Sequence, residues 1–392
     1  MMPAFEFCGV GRIIFGRGKF AMAGELAAGL GRTALVIYNG GGANEHLIDQ
    51  VTKAGVAVFL WRQRGEPIVA QIDEAVEEAR RQHCDSIIGL GGGSAIDAAK
   101  AVAGLLTNGG SAIDYMEVVG KGKKIARPAA PWMAIPTTAG TGAEATRNAV
   151  IGLPEKRFKA SIRSELLLPR IALIDPCLGA TVSPEVTAGS GMDALCQLIE
   201  SYTSTGASPM TDALALQGIP IASRCLPKAY HDGADLDARE GMALAALLSG
   251  ITLTNAGLGA VHGFAAPLGA NFPAPHGIVC AALLPKIVAA NIKTLRSQDP
   301  AEASRGLTRY ANIGRKLLGN ESIEDDEAID ACVHITSDLA CELKIPRLNR
   351  FGIESGDVTE MVALARKASS MRFNPVVLSD VSLAGALNSA IS

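Results

Sequence analysis

A glycine-rich turn between a buried strand and a helix constrains this fold more than any other stretch of the chain. The apolar run 86–90 predicts a buried strand, three consecutive glycines and Ser94 follow it, and a helix is predicted over 95–106. Glycines let a backbone approach a diphosphate, and a helix N-terminus supplies free N–H groups and a positive dipole. The turn is neither a G-x-G-x-x-G fingerprint nor a P-loop. It predicts phosphate binding, with a tight turn that needs positive φ as the alternative.

Polar side chains near this turn are further candidates for contact with a ligand. Asp97 and Lys100 fall in the first turns of the predicted helix, within reach of a bound nucleotide or of each other. A second polar loop, 136–144, follows the predicted strand 132–135 and offers hydroxyls and free N–H groups. Threonine- and glycine-rich turns are common, so this loop is a weak signal by itself.

The two halves of the chain differ in their pattern. In the first half, short β-branched runs alternate with helical stretches, and strands are predicted at 13–15, 34–38, 56–60, 86–90 and 132–135. Such alternation predicts a mostly parallel sheet with helices on both faces and ligands beyond the strand C-termini. From Pro184 onward, alanine-rich helical segments replace the strands, and the first of them is predicted over 185–204. The predicted domains are an α/β domain over 1–183 and an all-α domain over 184–392.

The composition is that of an ordinary soluble globular protein. Of the 392 residues 48% are hydrophobic and 19% charged, and the net charge of −3 argues against an extensive nucleic-acid surface. The chain does not open with the pattern of a secretory signal, and no uncharged apolar run approaches the roughly 20 residues of a membrane helix. The eight cysteines form no C-x-x-C pair, which favours reduced thiols. We therefore expect a cytoplasmic protein without a nucleic-acid or membrane partner.

A predicted buried helix over 190–202 carries an acid and an amide one turn apart. Ser190 is a candidate N-cap, and Asp193 and Gln197 leave the same face of the helix. An acid with a second oxygen donor one turn later is half of a metal site. The alternative is a capping Asp beside a buried, hydrogen-bonded Gln, because polar pairs at this spacing are common on helices.

Taken in order, these motifs resemble those of the iron-containing (group III) alcohol dehydrogenase family. The matching runs cover nearly the whole chain: G-G-G-S-A-I-D-A-A-K (91–100), I-P-T-T-A-G-T-G-A-E (135–144), L-I-D-P (173–176), G-M-D-A-L (191–195), G-L-G-A-V-H-G (257–263), P-H-G (275–277) and L-L-P (283–285). The resemblance implies a Rossmann-like nucleotide-binding domain and an all-helical C-terminal domain, the dehydroquinate synthase-like fold, with the active site in the cleft between them. It implies NAD(P)-dependent interconversion of alcohols with aldehydes or ketones by a homodimer or larger homo-oligomer.

By position, the resemblance also implies which residues contact the cofactor. Gly92, Gly93 and Ser94 would hold the diphosphate. The remaining predicted cofactor contacts are Asn39, Asp97, Thr137, Thr138, Thr141, Asn148 and Lys159. Many NAD-preferring relatives carry an acid at position 39, which would repel a ribose 2′-phosphate, so the neutral Asn39 favours NADP slightly over NAD. Glu66 would instead favour NAD if it restores negative charge near the adenosine.

The family's metal ligands fall at Asp193, Gln197, His262 and His276, and iron or zinc is the expected metal. Members with a full iron site carry His where this chain has Gln197, a neutral and weaker donor. One carboxylate and two imidazoles suffice for a catalytic zinc with an open position, so Asp193, His262 and His276 are the predicted catalytic residues. Gln197 is then a distant fourth ligand, a partner of another ligand, or a mark of weakened metal binding. Taken singly, His262 also fits a buried core position and His276 a helix cap.

A second departure from the family lies at Ala266, where relatives usually have a further His that faces the nicotinamide and is credited with proton relay. We expect hydride transfer between the nicotinamide and a carbonyl carbon whose oxygen the metal polarises. The proton would leave through metal-bound water or the cofactor ribose.

Three alternatives remain open on sequence. One is a metal-independent reductase of the maleylacetate reductase type, acting on a carboxylate-bearing ketone with Arg147, Arg157 and Arg163 as candidate anion partners. Another is a nucleotide-binding protein without turnover. A lyase resembling dehydroquinate synthase matches the motifs less closely.

Overall fold

A computed structural model of the chain describes residues 4–40 and 42–392, so Gly41 of the glycine run after the second strand lies outside the described part. The chain separates into two compact units, one covering Cys8–Val182 and the other covering Ser183–Ser392 with residues 4–7. The first unit is α/β and the second is helical, which confirms the predicted fold class.

The first unit is built on a parallel sheet. Its strands are β1 (Arg12–Phe15), β2 (Thr33–Tyr38), β3 (Ala57–Arg62), β4 (Ser86–Gly91), β5 (Trp132–Pro136), β6 (Asn148–Leu153), β7 (Phe158–Arg163) and β8 (Ile171–Ile174). Six of them form one parallel sheet in the order β1-β8-β5-β4-β2-β3, whereas β6 and β7 pair antiparallel as a separate hairpin. The strands β1 to β5 were predicted to within one or two residues, whereas β8 and the hairpin were not predicted.

Helices cover both faces of this sheet, as predicted. They are α1 (Ala23–Ala28), α2 (Ala43–Lys53), α3 (Val69–Arg81), α4 (Gly93–Asn108) and the short α5 (Ala112–Tyr115). Successive side chains of a strand point to opposite faces, so Leu35 and Ile37 pack with α3 and α4 whereas Ala34 and Val36 pack with α1 and α2. Because both faces are covered, the central strand β4 is buried along its whole length, including Gly91 at its end.

The second unit is a helical bundle around α6. Its helices are α6 (Pro184–Thr203), α7 (Pro209–His231), α8 (Leu236–Ala256), α9 (Ala260–Asn271), α10 (His276–Arg296), α11 (Pro300–Leu318), α12 (Asp325–Glu342), α13 (Val358–Ala365) and α14 (Asp380–Ile391). Nearly every residue of α6 beyond Glu185 is buried, because α7, α8 and α10 pack around it. A helix buried on all sides cannot show a clean amphipathic stripe.

The alanine-rich pattern predicts a helix over 185–204, which agrees with α6, but the prediction that Ser190 caps this helix is wrong. The helix begins at Pro184, and the Ser183 hydroxyl caps it by accepting a hydrogen bond from the Val186 N–H at 3.3 Å. Proline suits the first helical turn because its missing N–H would have no helical partner there. Ser190 lies in the interior, where its hydroxyl faces the Thr187 carbonyl at 3.5 Å.

By length and composition, α10 is long and apolar enough to cross a membrane. Helices α8 and α9 meet the same criterion when they are taken together as one bent span. In the structure, 61% of the apolar window of α10 is buried inside the protein. Core helices of globular proteins have the same composition, so this burial accounts for the apolar character of α10.

Candidate active site

One buried face of α6 carries three polar side chains. Asp193, Gln197 and Glu200 follow one another by four and three residues, which places them in a row on the same face. Each of them is at most 5% exposed. Burying three such groups is costly unless each has a partner, so their partners define the site.

Two histidines from other helices meet Asp193. His262 lies in the first turn of α9, and its Nε2 is 3.1 Å from Asp193 Oδ1. His276 is the first residue of α10, and its Nε2 is 3.8 Å from the same oxygen. The structure therefore brings together the three residues that were predicted to be catalytic.

Gln197 lies one turn after Asp193 on α6, and its side-chain oxygen has no hydrogen-bond partner in the described residues. Its side chain is 1% exposed, and no residue among 4–40 and 42–392 donates a hydrogen bond to Oε1. A buried amide oxygen without a donor costs about 1–3 kcal/mol. Of the two sequence interpretations, the buried and hydrogen-bonded Gln does not hold for this oxygen, which is left able to face a cation or a water.

Glu200 fixes the orientation of His262, and the sequence analysis missed it. One carboxylate oxygen accepts a hydrogen bond from the Val261 N–H at 2.7 Å, at the N-terminus of α9. The other lies 2.7 Å from His262 Nδ1. Because a carboxylate only accepts, Nδ1 donates to Glu200, and in the absence of a metal Nε2 donates to Asp193 at 3.1 Å, so the Nε2 proton is the one that a cation would displace. This is the carboxylate–histidine arrangement that supports metal ligands.

Cys280 is the second residue that the sequence analysis missed. It follows His276 by one turn of α10, and its Sγ is 3.7 Å from Nε2 of both His262 and His276. The donor atoms of Asp193, His262, His276 and Cys280 all lie within 4.8 Å of one another. The spacing of His276 and Cys280 was a usable signal, because residues four apart share a helix face.

These groups shift one another's protonation. Burial lowers the pKa of both imidazoles, but Cys280 and Asp193 outweigh it and raise the pKa of His276 to about 9. Burial also raises the pKa of the Cys280 thiol well above its ordinary value. The pKa of His262 is likewise raised well above its ordinary value. Burial raises the pKa of Asp193, but the charges of His276 and His262 outweigh burial and hold that pKa below its ordinary value. Protons therefore compete with any cation for the imidazole nitrogens.

The donor set fits a divalent transition metal. A buried carboxylate, two imidazoles and a thiol converge from three helices, and the oxygen of Gln197 has no other partner in the described chain. Carboxylate, imidazole and thiolate are the ligands zinc uses in proteins, and imidazole also suits iron.

In the α/β unit, the glycine turn after β4 is built as a phosphate-binding turn would be. Gly91 has φ of +147°, a conformation that favours glycine, and Gly92 is the N-cap of α4. Thr138 and Thr141 lie against this turn: a Cβ at Gly92 would be 3.1 Å from Thr138 Oγ1, and one at Gly93 would be 3.1 Å from Thr141 Oγ1. The second polar loop thus adjoins the first, with Ser94 in the first turn of α4.

Two more predicted cofactor residues organise this turn. The Thr137 N–H donates to the Gly91 carbonyl at 2.9 Å. Asn39 follows β2, and its Oδ1 accepts a hydrogen bond from the Gly92 N–H at 3.2 Å. A side chain on Gly91 would overlap Asn39, so the two residues fit together only because position 91 is glycine.

Other predicted residues have partners within the unit. Lys100 is fully buried and donates to Thr146 Oγ1 and to the Asn148 carbonyl, each at 2.7 Å. Asp97 accepts from the Val150 N–H at 3.1 Å and lies 3.5 Å from Lys100. These bonds join α4 to the β6 hairpin.

Of the two remaining predicted cofactor residues, Lys159 has a side-chain partner within the unit, whereas the side-chain oxygen of Asn148 has none in the described residues. The side-chain Oδ1 of Asn148 is buried without a donor in the described chain. Lys159 forms an ion pair with Glu66, so the charge that was expected to act near the adenosine is offset.

Ala266 lies on α9 one turn after His262 and presents only a methyl group.

Of the three arginines considered as anion partners, Arg163 pairs with Glu117 at 3.0 Å. The buried Nε of Arg147 donates to nothing in the described residues.

Comparison with known proteins identifies the family. Residues 11–176 match the family described as iron-containing alcohol dehydrogenase, and residues 187–390 match the Fe-containing alcohol dehydrogenase family, C-terminal. The chain is 34% identical over 382 residues to alcohol dehydrogenase 4 of Schizosaccharomyces pombe, covering 96% of this chain and 86% of the relative.

Solved structures show the same fold. A 1,3-propanediol oxidoreductase superposes with a TM-score of 0.91 at 29% identity, covering 99% of this chain and 100% of that one. Sulfoacetaldehyde reductase from Bifidobacterium kashiwanohense in complex with NAD⁺ gives 0.86 at 27% identity, covering 100% and 99%. Members of the matched family bind NAD(P) and a metal. Since both family models match and together cover most of the chain, this protein belongs to the iron-containing alcohol dehydrogenase family and is an oxidoreductase that acts on alcohols.

Proposed function

We propose that this protein interconverts an alcohol with its aldehyde or ketone, using NAD(P) and a divalent metal held by Asp193, His262 and His276. The observation that carries the proposal is the meeting of these three side chains from α6, α9 and α10. Asp193 Oδ1 lies 3.1 Å and 3.8 Å from the two imidazole nitrogens, and Asp193 itself is 1% exposed.

The protein's own groups prepare this site for a cation. Glu200 keeps the proton of His262 on Nδ1, which leaves Nε2 for the metal. Asp193 supplies negative charge where water is excluded, so its attraction for a cation is strong. When bound, a divalent metal supplies a Lewis acid that polarises the substrate oxygen and lowers the pKa of an alcohol.

The turn after β4 is the proposed diphosphate site. Free N–H groups at the N-terminus of α4 point away from the helix, and the glycines leave room for a close approach. The hydroxyls of Thr138 and Thr141 lie beside the same turn. A nicotinamide cofactor bound there supplies the hydride acceptor or donor.

We propose NADP as the preferred cofactor. Asn39 holds the end of β2 without a charge, so nothing at that position repels a 2′-phosphate. Glu66, which could have favoured NAD, is paired with Lys159.

A substitution at His262 tests the metal mechanism. His262→Ala should reduce turnover of a panel of alcohols and aldehydes by at least about 100-fold, because it removes a metal ligand and leaves Glu200 without its histidine partner. NAD(P)H absorbance measures the turnover. His334→Ala replaces an exposed histidine and is the matched control. Unchanged turnover in His262→Ala would refute the proposal.

A metal-independent reductase of carboxylate-bearing ketones is the second candidate, and one observation favours it. The buried Nε of Arg147 has no acceptor in the described residues, and a substrate carboxylate would supply one. Arg147→Gln should then raise KM for acidic ketones and leave KM for neutral aldehydes unchanged. An equal effect on both substrate classes would exclude this role.

We also propose a cytoplasmic homo-oligomer. No disulfide joins the cysteines in the described part of the chain, which agrees with a reducing compartment. Size-exclusion chromatography with light scattering tests the assembly, and a monomeric mass would contradict it.

A further inference from the structure

We propose that Cys280 is a direct metal ligand in this protein and takes the place of the imidazole that Gln197 does not provide. The inference rests on the proposed function, in which Asp193, His262 and His276 hold the metal. It adds a ligand of a different chemical class, a thiolate, and with it a prediction of which metal is bound.

The donor atoms around Cys280 lie near the spacing of a tetrahedral site, all within 4.8 Å of one another. Zinc bonds of roughly 2.0–2.3 Å at tetrahedral angles place neighbouring donor atoms about 3.3–3.6 Å apart. Cys280 Sγ is 3.7 Å from Nε2 of His262 and 3.7 Å from Nε2 of His276. The two imidazole-to-Asp193 distances, 3.1 and 3.8 Å, bracket the same value. Small side-chain movements would bring all four atoms onto one ion.

The helix that carries Cys280 explains why the thiol points there. His276 and Cys280 are four residues apart on α10, so both leave the face that packs on α6. Gly277 lies between them, and a Cβ there would overlap the Gly189 carbonyl of α6. The close approach of the two helices therefore sets the thiol against the nitrogens of both histidines.

A second cysteine near the site does not qualify. Cys196 Sγ is 4.0 Å from His262, but from Nδ1. That nitrogen carries the proton shared with Glu200 and has no lone pair for a metal. Of these two cysteines, Cys280 is the one whose sulfur lies against Nε2 of both histidines.

The chemistry of this ligand set predicts the metal. Binding of the ion displaces the Cys280 thiol proton to solvent, and the resulting thiolate and Asp193 together neutralise the divalent ion, which suits a buried site. Thiolate is a soft donor that favours zinc, whereas magnesium and manganese prefer oxygen. We infer that the protein selects zinc over manganese and magnesium, with the substrate oxygen as an additional ligand.

Cobalt substitution tests the sulfur ligand directly. Cobalt(II) in the full-length wild-type protein should show visible bands of low-symmetry coordination together with a near-ultraviolet sulfur-to-cobalt charge-transfer band. In Cys280→Ser the charge-transfer band should disappear, and zinc affinity should fall by at least about 100-fold, beyond the range for loss of an outer partner. Cys332→Ser replaces another fully buried cysteine, on α12, and should retain the band.

The outcomes separate this inference from the proposed function. Visible cobalt bands without charge transfer in the wild type would show that the metal binds and that Cys280 is not a ligand. No cobalt binding at all would overturn both proposals. If Cys280→Ser does not fold, as judged by circular dichroism, the wild-type spectrum decides the question by itself.

Discussion

The carboxylate of Glu200 determines which nitrogen of His262 is available to a metal. It is 5% exposed, accepts from the Val261 N–H and holds Nδ1 at 2.7 Å. Loss of its charge weakens both contacts, although the ring can still be hydrogen-bonded by an amide oxygen. Residues that support a ligand in this way change metal affinity without touching the metal.

Glu200→Gln should therefore weaken zinc binding by about 10- to 100-fold and lower kcat/KM with it. A competition titration with a chromophoric chelator measures the affinity. Glu185→Gln makes the same change at an exposed position in the first turn of α6 and should leave affinity unchanged. Equal affinities for Glu200→Gln and wild type would show that Glu200 does not orient His262 for a metal.

Asn39 offers a test of cofactor choice that preserves the turn. In Asn39→Asp the carboxylate can still accept the Gly92 N–H, but it adds a negative charge. That charge repels the 2′-phosphate, so KM for NADP should rise about tenfold or more while KM for NAD changes little. Initial rates with both cofactors provide the measurement. A similar rise with both would show that Asn39 does not lie near the ribose.

The residues of the candidate site show which of its members could be predicted from the sequence. Asp193, His262 and His276 were predicted from motif order, and the structure brings them together. Cys280 was passed over because a lone cysteine among alanines and leucines is typical of a core. Whether Gln197 makes a hydrogen bond depends on residues distant in sequence, so no local pattern reveals it.

At the scale of elements, the crossing of α6 and α10 sets the geometry of the site. Gly277 of α10 has no room for a side chain, because a Cβ would overlap the backbone carbonyl of Gly189. The helices approach this closely at the very turn that carries His276. Any separation of the two helices moves His276 and Cys280 away from Asp193.

Gly277→Ala should lower the thermal midpoint and weaken metal binding together. Gly385→Ala is the matched control, because Gly385 lies exposed within α14 with no atom near its would-be Cβ. There alanine should stabilise the protein by about 0.5–1 kcal/mol, since it favours helix. Calorimetry and zinc titration measure both effects. If Gly277→Ala had the same thermal midpoint and zinc affinity as Gly385→Ala, the close approach of α6 and α10 would not determine the geometry of the site.

The elements that the sequence did not predict have identifiable reasons. Helix α9 is short, apolar on all sides and contains Pro267, so it shows no helical stripe. The β6–β7 hairpin was missed although Phe158–Arg163 alternates apolar and polar residues. The extent of α6 was predicted closely, at 185–204, but its cap was assigned to Ser190, whereas Ser183 followed by Pro184 was the better signal.

At the scale of the whole molecule, one buried acid links stability to pH. Burial raises the pKa of Glu144 from 4.5 to about 7, although its backbone hydrogen bond and the charge of Lys100 act in the opposite direction. The folded protein holds a proton that the unfolded chain releases. This contribution to stability is present in full below about pH 4.5 and is lost as pH rises through 7.

Glu144→Gln should remove this dependence, since the amide stays neutral. The free energy of unfolding of the wild type, relative to Glu144→Gln, should fall by on the order of 3 kcal/mol between pH 4.5 and pH 8. Urea unfolding at several pH values provides the comparison. Parallel stability profiles for the two proteins would show that Glu144 keeps its charge when folded.

The account as a whole depends on a metal at Asp193, His262 and His276, and metal analysis coupled to turnover tests it most directly. We predict that the purified protein contains zinc, that exhaustive chelation abolishes alcohol oxidation while cofactor binding by fluorescence remains, and that added zinc restores the rate. Full turnover by protein shown to contain no metal would contradict the account.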